Sequence, residues 1–390
     1  MISRRTILAA GLVAVLAAPA VAQTPFKVGL ILPMTGQSQS TGKQIEAAVK
    51  LYIAQNGDTV AGRKIEVIVR DDAGVADTTK RQAQELIVRD KVGALAGFGL
   101  TPLAMATAPL ASQAKVPMIV MAAATSIIPN QSPFIVRSSQ VLPQTAVAMA
   151  QWAAENGIKS AVTLVSDYAP GIDAETWFVK RFKELGGEVK ESLRTPLASP
   201  DFAPVLQRAA DAKPQAMFVF VPSGQGAAVA KQFAERGLDK SGIRLIGTGD
   251  VTDDDQLNGM GDAMLGVVTS GHYSASHPSA ANKAFVAAFK AANPGMRPNF
   301  MAVAGYDGMH MLYEALRKAG GTADGEALVA AMKGMSFESP RGPVLIDAET
   351  RDVVHNIYIR RVERVDGELY NTEFATISML KDPAKAAPKP

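Results

Sequence analysis

The residues best suited to chemistry sit in small, hydroxyl-bearing loops that follow short apolar runs. Gly97-Phe98-Gly99-Leu100-Thr101-Pro102-Leu103 follows the run Val92–Ala96. Thr101 is a natural N-cap and Pro102 a natural first helical residue. Gly97 and Gly99 let the backbone approach a ligand closely. A helix N-terminus presents unpaired N–H groups and a partial positive charge, so it attracts carboxylates. Thr101 would equally serve if it did no more than cap its own helix. Ala122-Ala123-Ala124-Thr125-Ser126 follows the next apolar run. Its three small residues and two hydroxyls leave room for a ligand head group. A third loop, Ser166–Asp173, offers Tyr168 as a flat apolar face with a phenol.

Signals for catalysis are weak. No G-x-G-x-x-G follows the first apolar run, and Pro102 stands where Gly97-Phe98-Gly99 would need a third glycine. There is no G-x-S-x-G, H-E-x-x-H or G-x-x-x-x-G-K-[ST] motif, so no cofactor is expected. His272 and His277 are five residues apart; they read as surface-loop histidines rather than metal ligands. Asp253-Asp254-Asp255 reads as a solvated helix start rather than a cation site. Asp71-Asp72 reads as a loop brace.

These loops need elements to position them, and the chain alternates in a way that supplies them. Lys27–Leu32, Ile65–Val69, Val92–Ala96 and Val116–Met121 read as strands. Between them lie helical stretches; Ile45, Ala48, Val49, Tyr52 and Ile53 recur on one helix face. Thr101–Ala114 is another such helix. The alternation restarts after Gln144, with strands at Ser160–Ser166, Gln215–Val221 and Ile243–Gly247. Strands separated by helices of this length imply β-α-β units and a parallel sheet, here in two doubly wound α/β lobes.

Composition bounds the partners. Lys and Arg number 40 against 37 Asp and Glu, a formal charge of +3. Residues 1–22 hold two of the basic residues and no acidic ones, so 38 against 37 remain beyond them, or +1. A balance that even gives no footprint for nucleic acid. The absence of Cys excludes thiol catalysis, disulfides and Cys-ligated metals. Arg4-Arg5, the apolar run Ile7–Ala18 and Ala20-Val21-Ala22 read as a signal peptide cleaved after Ala22. Either the secretory or the twin-arginine route would export the protein to a bacterial periplasm. The Ala-, Pro- and Lys-rich stretch 381–390 reads as a disordered tail.

The chain resembles the periplasmic Leu/Ile/Val-binding protein family, the type I solute-binding proteins of ABC importers. The resemblance rests on Leu32-Pro33-Met34-Thr35-Gly36, Asp71-Asp72, the Thr101 loop and Val116-Pro117-Met118-Ile119 through Ala124-Thr125. Phe134-Ile135-Val136-Arg137, the Tyr168 loop and Gly305-Tyr306-Asp307 complete it. It implies two lobes joined by a three-segment hinge, with crossings near 142, 271 and 350. Lobe I would comprise 23–142 and 272–350, and lobe II 143–271 and 351–380. The lobes would close over a ligand held in the cleft. The resemblance places the ligand carboxylate on the Thr101–Leu103 and Ala124-Thr125 loops, with Tyr168 as a cover. Amino-acid binders of the family pair the ligand ammonium with a second-lobe Glu. Gly249 stands at that position here, with Asp250 beside it. If Asp250 points away, no ammonium partner remains, and a buried ammonium without an anion is strongly unfavourable.

The Tyr168 loop also resembles the subset that binds aromatic acids, in which Phe98, Tyr168 and Tyr273 would line a ring pocket. The expected function is therefore capture of a small carboxylate, such as an aromatic or 2-oxo acid, for delivery to the membrane permease of an ABC transporter. Two binding alternatives remain: a branched-chain or other amino-acid binder of the same class, and a ligand-sensing module for a receptor. An exported enzyme would need a clustered acid/base pair. Monomers are usual among proteins resembling this one.

Overall fold

The computed structural model describes residues 24–385 except Ser199. The expected signal peptide and residues 386–390 lie outside the described residues. Two sheets organise the chain. The first holds β1 (Phe26–Leu32), β2 (Thr59–Val60), β3 (Arg63–Asp71), β4 (Ala94–Gly97), β5 (Met118–Val120) and β6 (Ile135–Arg137). Its order is β2-β3-β1-β4-β5-β6, parallel except for the short edge strand β2. Helices α1 (Gln39–Asn56), α2 (Ala76–Val88) and α3 (Thr101–Ala114) connect its strands. Val28, Leu30 and Ile31 of β1 are fully shielded, as a strand covered on both faces requires.

The second sheet has a parallel centre and an antiparallel flank. Its parallel strands are β7 (Ser160–Ser166), β8 (Glu188–Thr195), β9 (Ala216–Phe220), β10 (Arg244–Thr248) and β11 (Val268–Gly271). β12 (Ser336–Ser339), β13 (Gly342–Ile346), β14 (Val353–Val365) and β15 (Glu368–Leu380) form the flank. The order is β12-β13-β14-β11-β10-β9-β7-β8, with β15 on β14. Helices α4 (Leu142–Glu155) and α5 (Ala169–Glu184) pack on this sheet.

The chain crosses between the lobes three times. It leaves β6 for α4, and it leaves β11 for Tyr273, which lies in the first-lobe core. The third crossing is less simple than the expected boundary near 350. β12 and β13 extend the second sheet through β14, yet Val344, Ile346 and Val353 bury their side chains in the first-lobe core. Further along β14, Ile357 and Ile359 belong to the second-lobe core.

Residues 381–385 are ordered, against the expectation of a disordered tail. Lys381 pairs with Asp347 at 3.0 Å, and Lys385 reaches Asp352 at 2.5 Å. Asp382 bonds the Ser126 hydroxyl and is buried. Composition misled because each charge here has a specific buried or half-buried partner. No helix among the described residues is long and apolar enough to cross a membrane.

Candidate functional site

The loops singled out above meet in one cleft between the lobes. Ser38, Thr41, Gly99, Thr101, Ala124 and Met301 line it from the first lobe. Tyr168, Pro170, Phe220, Pro222, Ser223 and Asp250 line it from the second. The cavity they enclose is narrow, about 30 Å³.

The first-lobe wall is built to meet an anion. α3 begins at Thr101 itself rather than after it, and no side chain caps it. Thr101 is therefore not occupied in capping; its hydroxyl shares a 2.8 Å hydrogen bond with that of Thr125. Two hydroxyls carry two protons and their mutual bond uses one, so one remains to donate to a ligand. The carbonyls of the neighbouring loop are turned away from the cleft. Arg137 donates to Ala123 O and, at 2.7 Å, to Thr125 O, while Leu142 N donates to Ala124 O at 3.0 Å. Among the described residues no acceptor takes the amides of Ala124 and Thr125. Carbonyls withdrawn and amides left free make an anion seat at the start of a helix.

Gly97 and Phe98 give this wall its close approach. Gly97 has φ +107°, and a Cβ there would stand 2.3 Å from Ile31 O. Phe98 also takes a left-handed conformation, φ +68°. That turn sends its side chain into the first-lobe core, where it is fully buried. The expected ring-pocket role of Phe98 therefore gives way to core packing. Tyr273 is likewise fully buried in that core, edge-on to Phe285 at 6.5 Å. Leu103 is buried on α3 and does not line the cleft.

The second-lobe wall is aromatic with one acid. Tyr168 precedes α5 and stacks on Phe220 with ring centroids 6.1 Å apart. Asp250 follows β10, faces the cleft and is 5% exposed. Thr248 Oγ1 donates to its Oδ2 at 3.0 Å, and no side chain among the described residues donates to Oδ1. Burial pushes the Asp250 carboxyl up to about 6 against the Thr248 hydrogen bond and the nearby Arg360 charge. Burial and the Asp250 charge together push the Tyr168 phenol well up. Asp250 thus does not point away.

Gly249 has a physical reason. A Cβ at Gly249 would lie 2.7 Å from Nη2 of Arg360, and one at Gly271 would lie 3.0 Å from its Cζ. The guanidinium fills the space over both glycines. It donates to Tyr273 O at 2.5 Å and to Thr269 Oγ1 at 3.0 Å, and faces Asp254 at 3.9 Å. Where a larger residue would stand, the site holds a buried cation.

The lobes touch across the cleft. Ser40 Oγ donates to Asp255 Oδ2 at 2.7 Å, and Asn299 Nδ2 donates to Asp253 at 2.8 and 3.0 Å. Asn299 also caps the helix Phe300–Lys318. The structure is therefore closed. The Asp253-Asp254-Asp255 run is not the solvated helix start expected: Asp253 and Asp254 are 1% and 2% exposed, Asp253 accepting from Asn299 and Asp254 from Asn371. His272 is not the surface histidine expected: it is buried against Gln140 and stacked on His355, while His277 bonds Glu373. No cluster able to hold a metal ion occurs among the described residues. Asp71 and Asp72 brace their loops as expected, accepting from Met34 N and Gly74 N.

Burial, then the Asp255 charge, pushes the Asp253 carboxyl up to about 7. A carboxyl raised in the folded state holds its proton better there than in the unfolded chain. The stability it adds is full below the ordinary carboxyl value and is lost as pH rises through about 7. From about pH 4.5 to about pH 7.5, wild type should lose about 1–3 kcal/mol relative to Asp253→Asn in denaturant unfolding. A difference that stays flat over that window would contradict the assignment.

With this geometry in place, three comparisons bear on its meaning. The sequence profile described as periplasmic binding protein matches residues 25–368. The chain belongs to the periplasmic binding protein family. Within it, the chain is 43% identical over 377 residues to Leu/Ile/Val-binding protein homolog 6 of Brucella abortus, covering 95% of this chain and 96% of that one. It is 66% identical to an ABC-transporter solute-binding protein of Rhodopseudomonas palustris BisB5, solved with 3,4-dihydroxybenzoic acid. That match has a TM-score of 0.91 and covers 93% of this chain and 99% of the other. A second such protein, from Rhodopseudomonas palustris HaA2 with p-hydroxybenzoic acid, matches at 41% identity and TM-score 0.91, over 93% and 100%. The two parallel-sheet lobes are those of a type I solute-binding protein.

Of the residues that the sequence singles out, Thr101, Ala124, Tyr168 and Asp250 line the cleft, and Thr125 joins them through its hydrogen bond to Thr101. The sequence reading missed Ser38, Thr41, Phe220, Ser223 and Met301. Ser38 and Thr41 lie at the start of α1, and its position after the first strand was the available signal.

Proposed function

We propose that this protein captures a small aromatic carboxylate carrying a ring hydroxyl, of the hydroxybenzoate kind, and delivers it in the periplasm to the permease of an ABC importer. The observation that carries the reading is the anion seat facing an aromatic stack. Free amides of Ala124 and Thr125 and the Thr101–Thr125 hydroxyl pair meet the carboxylate. Tyr168 and Phe220 meet the ring. Asp250, across the cleft with Oδ1 unpaired to any side chain among the described residues, accepts the ring hydroxyl. Binding followed by release, without turnover, is the whole of its action. Export would follow from the expected signal peptide at 1–22, and the protein would act as a monomer.

Asp250 also favours a second reading. It faces the cleft, so it would serve as the counter-ion of an α-ammonium, as in an amino-acid binder. Against this stands Arg360, whose charge lies behind Asp250 and partly neutralises it.

Calorimetric titration of refolded mature protein separates the readings. The panel is 4-hydroxybenzoate, benzoate, phenylpyruvate, phenylalanine and leucine. Tight binding of 4-hydroxybenzoate with no heat from phenylalanine or leucine is expected. Tight binding of either amino acid, with none of the aromatic acids, would replace the first reading with the second. Conversion of a bound acid on long incubation, at a rate scaling with protein, would overturn both.

A further inference from the structure

The loop that forms the anion seat is held from behind by a chain of charged groups that ends in the last described residues. Arg137, fully buried at the end of β6, donates to Ala123 O and Thr125 O. Its Nε donates to Asp352 Oδ1 at 2.8 Å, and Asp352 Oδ2 accepts from Lys385 Nζ at 2.5 Å. Asp352 is 1% exposed, so the two cations share one buried anion. Three residues before Lys385, Asp382 bonds the hydroxyl of Ser126, the residue that follows Thr125. The Ser126 amide donates to Asp173 Oδ2 of α5 at 3.0 Å, five residues beyond Tyr168 in the same helix. Ser126 is therefore fixed on one side by the second lobe and on the other by the C-terminal segment.

The chain gets there by a defined route. β15 ends at Leu380, whose carbonyl accepts from Gln144 Nε2 at 2.7 Å. The same side chain donates to Val353 O at 3.0 Å. Asp382–Lys385 then lies across the end of the first lobe rather than leaving the surface, and Asp382 is 4% exposed.

We propose that Asp382–Lys385, acting through Arg137, Asp352 and Ser126, is a strap that positions the Ala123–Ser126 loop and thereby sets ligand affinity. The geometry supports positioning rather than ligand contact, because neither Arg137 nor any strap residue lines the cleft. What Arg137 does is turn two carbonyls away, and that leaves the two amides for the ligand. Loss of the strap would free these carbonyls to rotate toward the anion and repel it. The inference rests on the proposed anion seat.

Two variants, Asp382→Ala and Lys385→Met, test it without removing the fully buried Arg137. Lys381→Met, which removes an exposed lysine from its pair with Asp347 and leaves the Asp352 and Ser126 contacts in place, is the control. Hydrogen exchange of peptides spanning 122–126 reports on the loop with no ligand present. Titration with 4-hydroxybenzoate reports on the seat. Both variants should speed exchange of these peptides and weaken binding roughly tenfold, with Lys381→Met at wild-type values on both. Combined with Thr125→Ala, each should weaken binding by less than the product of the single effects, because both act on one loop. A loss that arose only from general destabilisation would multiply instead, and would overturn the proposal. Unchanged exchange in both variants would also overturn it, whatever the protein binds. So would faster exchange with wild-type affinity. If wild type binds no 4-hydroxybenzoate but both variants speed exchange, the strap stands as a holder of this loop and the ligand reading falls.

Discussion

An Asp250→Ala protein is expected to bind 4-hydroxybenzoate and benzoate with affinities within about threefold of each other, where wild type prefers the hydroxylated acid by about 10- to 150-fold. The preference has two sources. A hydroxyl donating to a carboxylate is worth about 1.5–3 kcal/mol. Benzoate, in addition, covers Asp250 without offering a donor, and a buried acceptor left unpaired is costly. Thr248 satisfies one carboxylate oxygen, and the other has no side-chain partner among the described residues, so the ligand is the natural donor. Asp250→Asn keeps an acceptor oxygen and loses the charge, so it should retain part of the preference. Competitive titration of the two acids against both variants reads this directly. An Asp250→Ala protein with the wild-type ratio would mean that the ring hydroxyl is met elsewhere.

The ammonium question has the same structural root. The resemblance put a glycine where amino-acid binders carry an acid, and the structure explains the glycine by what presses on it. Arg360 lies against Gly249 and Gly271, so a side chain at 249 would have to displace a buried guanidinium with three partners. Sequence alone could show the missing acid. It could not show that a cation from a strand more than a hundred residues later occupies the space, because only the β11–β14 pairing brings Arg360 there.

What the sequence revealed follows the range of the forces involved. The strand-end loops were legible because their signals are local: glycines before Thr101-Pro102, and three alanines before two hydroxyls. Thr101 was placed one position early, as a cap, and the difference matters because its hydroxyl is then free to meet Thr125. Phe98 was misread because its side-chain direction depends on a left-handed φ that its residue type does not announce. The β14–β15 hairpin was missed although Asp366-Gly367 interrupts two β-rich runs, which is a hairpin signal. Phe220, Ser223 and Met301 come from distant segments that meet only when the lobes close, so no local pattern marks them. The C-terminal strap was hidden by composition, which counts charges and does not see their partners.

Removing the two cleft hydroxyls tests the seat itself. Thr101→Ala and Thr125→Ala should each weaken 4-hydroxybenzoate binding about five- to thirtyfold, by about 1–2 kcal/mol, since each removes a charge-assisted donor or its orienting partner. The double variant should fall short of the product. The hydroxyls share one hydrogen bond at 2.8 Å, so either single change already frees the other to rotate away from its ligand-bound orientation. Thr101→Ser and Thr125→Ser keep the hydroxyls and should hold affinity close to wild type, which separates the hydrogen bond from the loss of a methyl group in a buried wall. The neutral amide of the same ligand gives the decisive contrast. It offers the seat an N–H₂ group in place of a carboxylate oxygen, and free amides at a helix start discriminate against it. Wild type should therefore prefer the acid strongly, and the preference should shrink in the double variant. Equal losses for acid and amide would show that the threonines shape the cleft without reading the charge, and the anion seat would have to be sought elsewhere on the first-lobe wall.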